Sequence, residues 1–193
     1  VSLYQIAWPT PAGRLVAVEP TPEEVVRHAD ALAVAYNDPR NAPLLGHTED
    51  VDADDVIGHY ASVARTGGHN FLILRDGALI ADADLRKPTA GAAEFAFLVA
   101  SPAAQGQGLG TRIAIMVASF GFRVLGLDRI YASIIPANTA SRRVFDKLSY
   151  AVDDSPAARG YADEPGDIVM AIDRTVFERR HAEAMAEIAI AVR

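Results

Sequence analysis

The chain has 193 residues, is half hydrophobic and 22% charged, and carries a formal net charge of −7. This length and composition suit a single globular domain spanning 1–193, and the acidic balance argues against a nucleic-acid partner held through phosphates. With no cysteine, disulfides, thiolate metal sites and a cysteine nucleophile are excluded. The first 16 residues lack the basic cluster and apolar core of a signal peptide, and no apolar run approaches the ~20 residues of a membrane span. A cytoplasmic location and no membrane partner are expected.

Residues 14–19 read as a first strand. Thr21, Pro22 and Glu24 then form a capping box with proline at the first helical position. Val25, Val26, Ala29, Leu32, Ala33 and Tyr36 give that helix an apolar face at helical spacing. Asn37, Asp38 and Pro39 open a turn-rich loop, and Asp52 to Asp55 caps a second helix that runs to about Arg65. Residues 71–74 and 78–81 flank an Asp76-Gly77 pair, a strong hairpin signal, and the second arm extends to about Arg86. Residues 95–99 form a further strand.

Leu109, Ile113, Met116, Val117 and Phe120 make one continuous helical face. The β-branched run 129–135 reads as a strand, 139–148 as a helix, and 150–152 and 167–172 as two strands. A C-terminal helix follows at about 175–192, placed either to cover the sheet or to form a homodimer contact. This alternation predicts an α/β (α+β) fold: a mixed, mostly antiparallel central sheet with helices on both faces.

Gln105-Gly106-Gln107-Gly108-Leu109-Gly110 lies between a strand and a helix. Glycines at alternate positions let the backbone turn tightly and approach a ligand. The helix start adds unpaired N–H groups and a positive dipole end, which together favour a phosphate. The dinucleotide pattern Gly-x-Gly-x-x-Gly fails because its last position is Thr111, and the stretch has no lysine for a P-loop.

The hexapeptide does satisfy Gln/Arg-x-x-Gly-x-Gly/Ala, and it resembles the pyrophosphate loop of the GNAT superfamily of N-acetyltransferases. Downstream, Asn138, Ser141 and the helix ending near Tyr150 match the family's Asn-x-x-Ser element. Residues 126–131 and 138–144, with Asn37-Asp38-Pro39, are most similar to the branch that includes ribosomal-protein N-terminal (RimJ/RimL-like) acetyltransferases. The resemblance runs from about Arg14 to Phe177 and implies transfer of acetyl from acetyl-CoA to an amine by direct attack.

It also implies roles for particular residues. Phe97, Leu98 and Val99 would bind the pantetheine arm, with backbone N–H groups near Val99 polarising the thioester. Gln105, Gly106, Gln107, Gly108, Leu109, Gly110 and Thr111 would hold the pyrophosphate. Asn138 and Ser141 would meet the pantetheine. Arg142 and Arg143, of which Arg143 is preferred, either reach the nucleotide's 3′-phosphate or form a solvated basic pair. Glu94 is the first candidate base, acting through water as is common in the family. Asp82 and Asp84, alternating on one strand face, either bind or deprotonate an amine or face water.

Many members carry a thiolate-protonating Tyr where this chain has Phe145, so Ser141 or water is the candidate acid. Its absence also admits an acyl-CoA-binding module with weak catalysis. The five histidines show no metal-binding spacing, so no metal is expected. The acceptor is a protein N-terminus or a small-molecule amine, aminoglycoside-like antibiotics included.

Overall fold

A computed structural model describes residues 2–11, 13–46, 49–100 and 106–193. The chain runs β1 (Tyr4–Thr10), β2 (Gly13–Val18), α1 (Pro22–Tyr36), α2 (Ala42–Leu45), α3 (Ala53–Arg65), β3 (His69–Arg75), β4 (Ala78–Thr89) and β5 (Ala92–Val99). It continues through α4 (Leu109–Arg123), β6 (Arg129–Ile134), α5 (Thr139–Lys147), β7 (Ala151–Val152), α6 (Pro156–Arg159), β8 (Ile168–Asp173), α7 (Arg174–Glu187) and β9 (Ala189–Val192).

The expected capping box forms at Thr21, and the expected cap at Asp52 is a capping box as well. Thr21 accepts from the Glu24 N–H while Glu24 accepts from the Thr21 N–H, and Asp52 and Asp55 exchange the same pair. Each satisfies two helix-end donors that would otherwise lack partners. The Asp76-Gly77 turn has φ of 51° and 87°, the left-handed pair that lets a two-residue hairpin follow the strand twist.

Among the described residues, nine strands make one sheet in the order β7-β8-β6-β5-β4-β3-β2-β1-β9. Every neighbouring pair is antiparallel except β5 with β6. Alternation along β3 sorts the two faces. Phe71 and Ile73 pack with Ile113, Met116, Val117 and Phe120 of α4. Leu72 packs with Val25, Ala29 and Leu32 of α1 and with Val56 and Tyr60 of α3. The predicted apolar face of α4 is wholly buried, and the sheet carries helices on both sides as expected.

The two ends of the chain differ from the sequence reading. Residues 4–10 form a strand, with Tyr4, Ile6 and Trp8 alternating toward the core. The C-terminal helix expected at about 175–192 stops at Glu187, and Ala189–Val192 instead pairs antiparallel with β1. No helix among the described residues is long and apolar enough to cross a membrane.

Candidate active site

The parallel pair β5–β6 is where the sheet opens. Its register covers only Ala92 to Glu94 against Arg129 to Tyr131, although β5 continues to Val99 and β6 to Ile134. Beyond Glu94 the strands part, and two cavities fill the gap on either side of Phe97 and Leu98.

The outer cavity, about 380 Å³, is lined by Phe97, Leu98, Val99, Gly106, Gly108, Leu109, Gly110, Thr111, Asn138, Ser141 and Arg143 among others. These are eleven of the residues expected at the cofactor; Gln107 is exposed beside them, and Gln105 lies outside the described residues. Gly106 and Gly108 have φ of 75° and 73°, a region that L side chains rarely adopt. Gly108 caps α4 without any side-chain hydrogen bond, and the first turn of α4 holds no acid. The helix start therefore offers N–H groups and its dipole to an anion. Gly110 has a different reason: a Cβ there would sit 2.9 Å from the Phe97 ring. Its absence lets α4 start directly against β5. Arg40, Arg143 and Lys147 add positive charge to a lining otherwise rich in Leu44, Leu45, Leu98 and Val144. A long apolar arm ending in phosphates fits this donor set. Arg142 is exposed and lines neither cavity.

Asn138 and Ser141 border both cavities. Asn138 caps α5 by accepting from the Ser141 N–H at 3.0 Å, and its amide donates to the Leu44 carbonyl at 3.1 Å. It thus ties α5 to α2 across the mouth of the cleft. The Ser141 side chain has no hydrogen bond among the described residues. Phe145 is buried between Phe95, Phe97 and Tyr150, and the Tyr150 hydroxyl has no hydrogen-bond partner among the described residues; its burial pushes the pKa up.

The inner cavity, about 460 Å³, is acidic. Asp55, Asp82, Asp84, Asp163, Glu164 and Asp167 line it, facing Arg86 and His59. Asp82 accepts from Tyr36 at 2.7 Å and from Tyr60 at 3.2 Å, and burial raises its pKa to about 6. Asp84 lies 3.0 Å from His59 Nε2, while its other oxygen is buried with no hydrogen bond among the described residues. The His59 pKa is raised, chiefly by that bond to Asp84, with burial opposing.

Glu94, the expected water-linked base, lies elsewhere. It is fully buried, lines neither cavity, and is held by Arg86 and Lys87 at 2.8 Å each. Burial raises its pKa and the two cations oppose the shift. Arg86 and Lys87 also bind Asp163, fastening the loop that carries Glu164 and Asp167. Sequence reasoning gave no site role to His59, Tyr36 or Tyr60, and took residues 153–167 for a substrate loop without reading a motif in it. The run Asp163-Glu164-Pro165-Gly166-Asp167 was a legible signal, three acids in five residues; His59 had none, because its partner is 25 positions away.

Similar folds bind coenzyme A. RimJ of Mycobacterium smegmatis, solved with CoA-disulfide, superposes with a TM-score of 0.74 at 18% identity, covering 95% of each chain. The aminoglycoside acetyltransferase AAC(6′)-Ib with coenzyme A gives 0.67 at 19% identity, covering 80% of this chain and 94% of that one. The ribosomal-protein-S5-alanine acetyltransferase of Vibrio fischeri gives 0.64 at 14%, covering 86% and 96%. In sequence, 67 residues are 39% identical to the alpha/beta-tubulin-N-acetyltransferase 9 of Mus musculus and 37% to that of Homo sapiens. The matched stretch is 35% of this chain but only 27% and 31% of those proteins, so the chain spans less than a third of the curated relatives it matches. The model of the acetyltransferase (GNAT) domain matches residues 14–151, well over half the length, and the chain belongs to the GNAT family.

Proposed function

We propose that this chain is an N-acetyltransferase that moves acetyl from acetyl-CoA onto a cationic primary amine in a ternary complex. One observation carries the reading: a basic, phosphate-suited cavity and an acidic one meet at Phe97, Leu98, Asn138 and Ser141. The outer cavity takes the acyl donor, with pyrophosphate at Gly106 to Thr111 and Arg143 toward the 3′-phosphate. Backbone N–H groups near Val99, which lines the outer cavity, would polarise the thioester carbonyl. The inner cavity draws in an ammonium by charge. Ser141, at the junction, supplies a hydroxyl to the leaving thiolate. A thiol of ordinary pKa near 8.5 leaves unassisted at pH 7 for only about 2 kcal/mol, so Phe145 in place of a tyrosine does not stop the reaction.

The acceptors compatible with this acidity are a protein N-terminus and small amines, aminoglycoside-like compounds included. An α-amine of pKa about 8 is neutralised at pH 7 for about 1.4 kcal/mol, against about 4.6 for a lysine-type amine near 10.4.

The test is thermal stability with acetyl-CoA, in wild type and Gly108→Glu, followed by thiol release against a panel of primary amines. Ligand at about a hundred times its dissociation constant should stabilise wild type by about 2.7 kcal/mol, a shift of several degrees. The substitution sets a carboxylate at the helix start and strains a left-handed backbone, so the folded variant should lose the shift. No shift in well-folded wild type would remove the donor assignment. A shift without thiol release would favour the second reading, an acyl-CoA-binding module, which Phe145 at the cavity wall motivates.

A further inference from the structure

The acidic cavity creates a chemical difficulty. Six carboxylates that attract an ammonium also hold its proton on, and an ammonium has no lone pair with which to attack a thioester. A proton acceptor must stand within the same cavity. We propose that this acceptor is His59, oriented by Asp84, an assignment that rests on the transferase reading above.

The other lining carboxylates are buried, already engaged or turned to solvent. Asp82 is engaged by two tyrosine hydroxyls. Asp163 is paired with Arg86 and Lys87, and Asp167 accepts from Ser133. Asp55, three residues into the capping box of α3, accepts from the Asp52 N–H. Glu164 is exposed, so its carboxylate stands in solvent at the cavity rim rather than beside a buried partner that would orient it. His59 lines the cavity with its side chain 38% exposed while Asp84 beneath it is only 10% exposed. A carboxylate at 3.0 Å from Nε2 keeps the proton on that nitrogen, which leaves the Nδ1 lone pair for the amine. The second oxygen of Asp84 accepts no hydrogen bond among the described residues and meets Arg86 Nε only as a long ion pair at 3.8 Å, so the carboxylate keeps negative charge to stabilise an imidazolium.

The proton balance closes. One ammonium N–H bond breaks, its electron pair stays on nitrogen, and the proton goes to Nδ1. Nitrogen then bonds to the acetyl carbonyl carbon, and the C–S bond breaks with its electrons on sulfur. A second N–H proton is passed to the thiolate, and His59 gives its own to water. The sum is ammonium plus thioester to amide, thiol and one proton.

The charged and titratable groups facing His59 are Asp82, Asp84 and Arg86 from β4, Tyr36 from α1, Asp55 and Tyr60 from α3, and Asp163, Glu164 and Asp167 from the loop before β8. The bond to Asp84 and the charges of Asp84 and Asp82 raise the imidazole; burial and Arg86 oppose.

The experiment is a pH profile of kcat/KM for wild type, His59→Gln and Asp84→Asn, using the amine that best releases thiol, with the acetyl-CoA thermal shift as the fold control. Wild type should lose activity as pH falls through an ionisation above the usual histidine value of about 6.5, separate from that of Asp82 at about 6. His59→Gln should lower kcat by about 100-fold or more, abolish that limb and keep the acetyl-CoA shift. Asp84→Asn should move the limb to lower pH, an effect a purely structural residue does not produce. A His59→Gln enzyme with wild-type kcat and an unchanged limb would overturn the assignment. If wild type shifts with acetyl-CoA but releases thiol with no amine, the transferase reading fails, and the assignment with it.

Discussion

Asp82 shows how a single residue can trade stability for recognition. Its carboxyl is buried under Tyr36 and Tyr60, and burial outweighs their hydrogen bonds to raise the pKa to about 6. An acid whose folded pKa is raised favours the fold while protonated, so its contribution is present below the unfolded value near 3.9 and is lost as pH climbs through about 6. Above that window the ionised group costs the fold about 3 kcal/mol. Asn at the same place still accepts from both tyrosines. Asp82→Asn should therefore melt several degrees higher than wild type at about pH 7.5 and at nearly the same temperature at about pH 4. The acceptor KM should rise, because one charge has left the cavity. Calorimetry at the two pH values, with kinetics at the higher, separates the effects. Function gained at the expense of stability is the usual direction of such trades at a buried site.

At the scale of elements, the instructive group is the ion cluster between β4, β5 and the loop that precedes β8. Arg86 stands directly across from Glu94 in the β4–β5 register, and Lys87, with φ of 49°, turns its amine to the same carboxylate. Both cations then reach Asp163, and Lys87 also donates to the Tyr161 carbonyl. Tyr161 stacks on Tyr131 of β6 with ring centroids 4.2 Å apart. The loop carrying Glu164 and Asp167 is thus fixed to the sheet by charge at one point and by an aromatic stack at another. Removing one partner from a buried pair leaves the other uncompensated, which costs about 3–5 kcal/mol. Glu94→Gln leaves Arg86 and Lys87 with one anionic partner fewer and should raise the acceptor KM through a loosened loop. Its acid limb should stay where wild type has it. A Glu94→Gln enzyme that folds well but loses that limb would instead return Glu94 to the role of base. Denaturant melts and a pH profile distinguish the two.

The whole molecule is closed by its last strand. Arg193 donates to both oxygens of Glu24 at 2.9 and 2.7 Å, to the Glu19 carbonyl at 2.7 Å, and through its own N–H to Leu3. The bond from Arg193 lowers the Glu24 pKa to about 2. A lowered carboxylate pKa stabilises above its unfolded value and loses that contribution as pH falls from about 4.5 toward 2. Both side chains are about a quarter exposed, so solvent screening reduces the contribution to about 1 kcal/mol. Arg193→Ala should lower the melting temperature by about 2–4 °C at pH 7, with the difference from wild type shrinking below pH 4.5.

What the sequence determined by itself was local. The two capping boxes, the Asp76-Gly77 hairpin, the buried face of α4 and the glycine turn before it were all legible, because each depends on residues within a few positions of one another. The missed elements depend on partners far along the chain. Ala189–Val192, with its alanines, has the composition of a helix end, and becomes a strand because β1 offers an open edge. β1 itself alternates properly, but Pro9 weakens a strand reading until β2 and β9 flank it. The acceptor side follows the same rule. Nothing near Glu94 in sequence announces that register sets Arg86 opposite it, and nothing near His59 announces Asp84. Charge and hydrogen bonding act through space, so the tertiary structure alone decided which carboxylate is locked in an ion pair and which one faces the cavity.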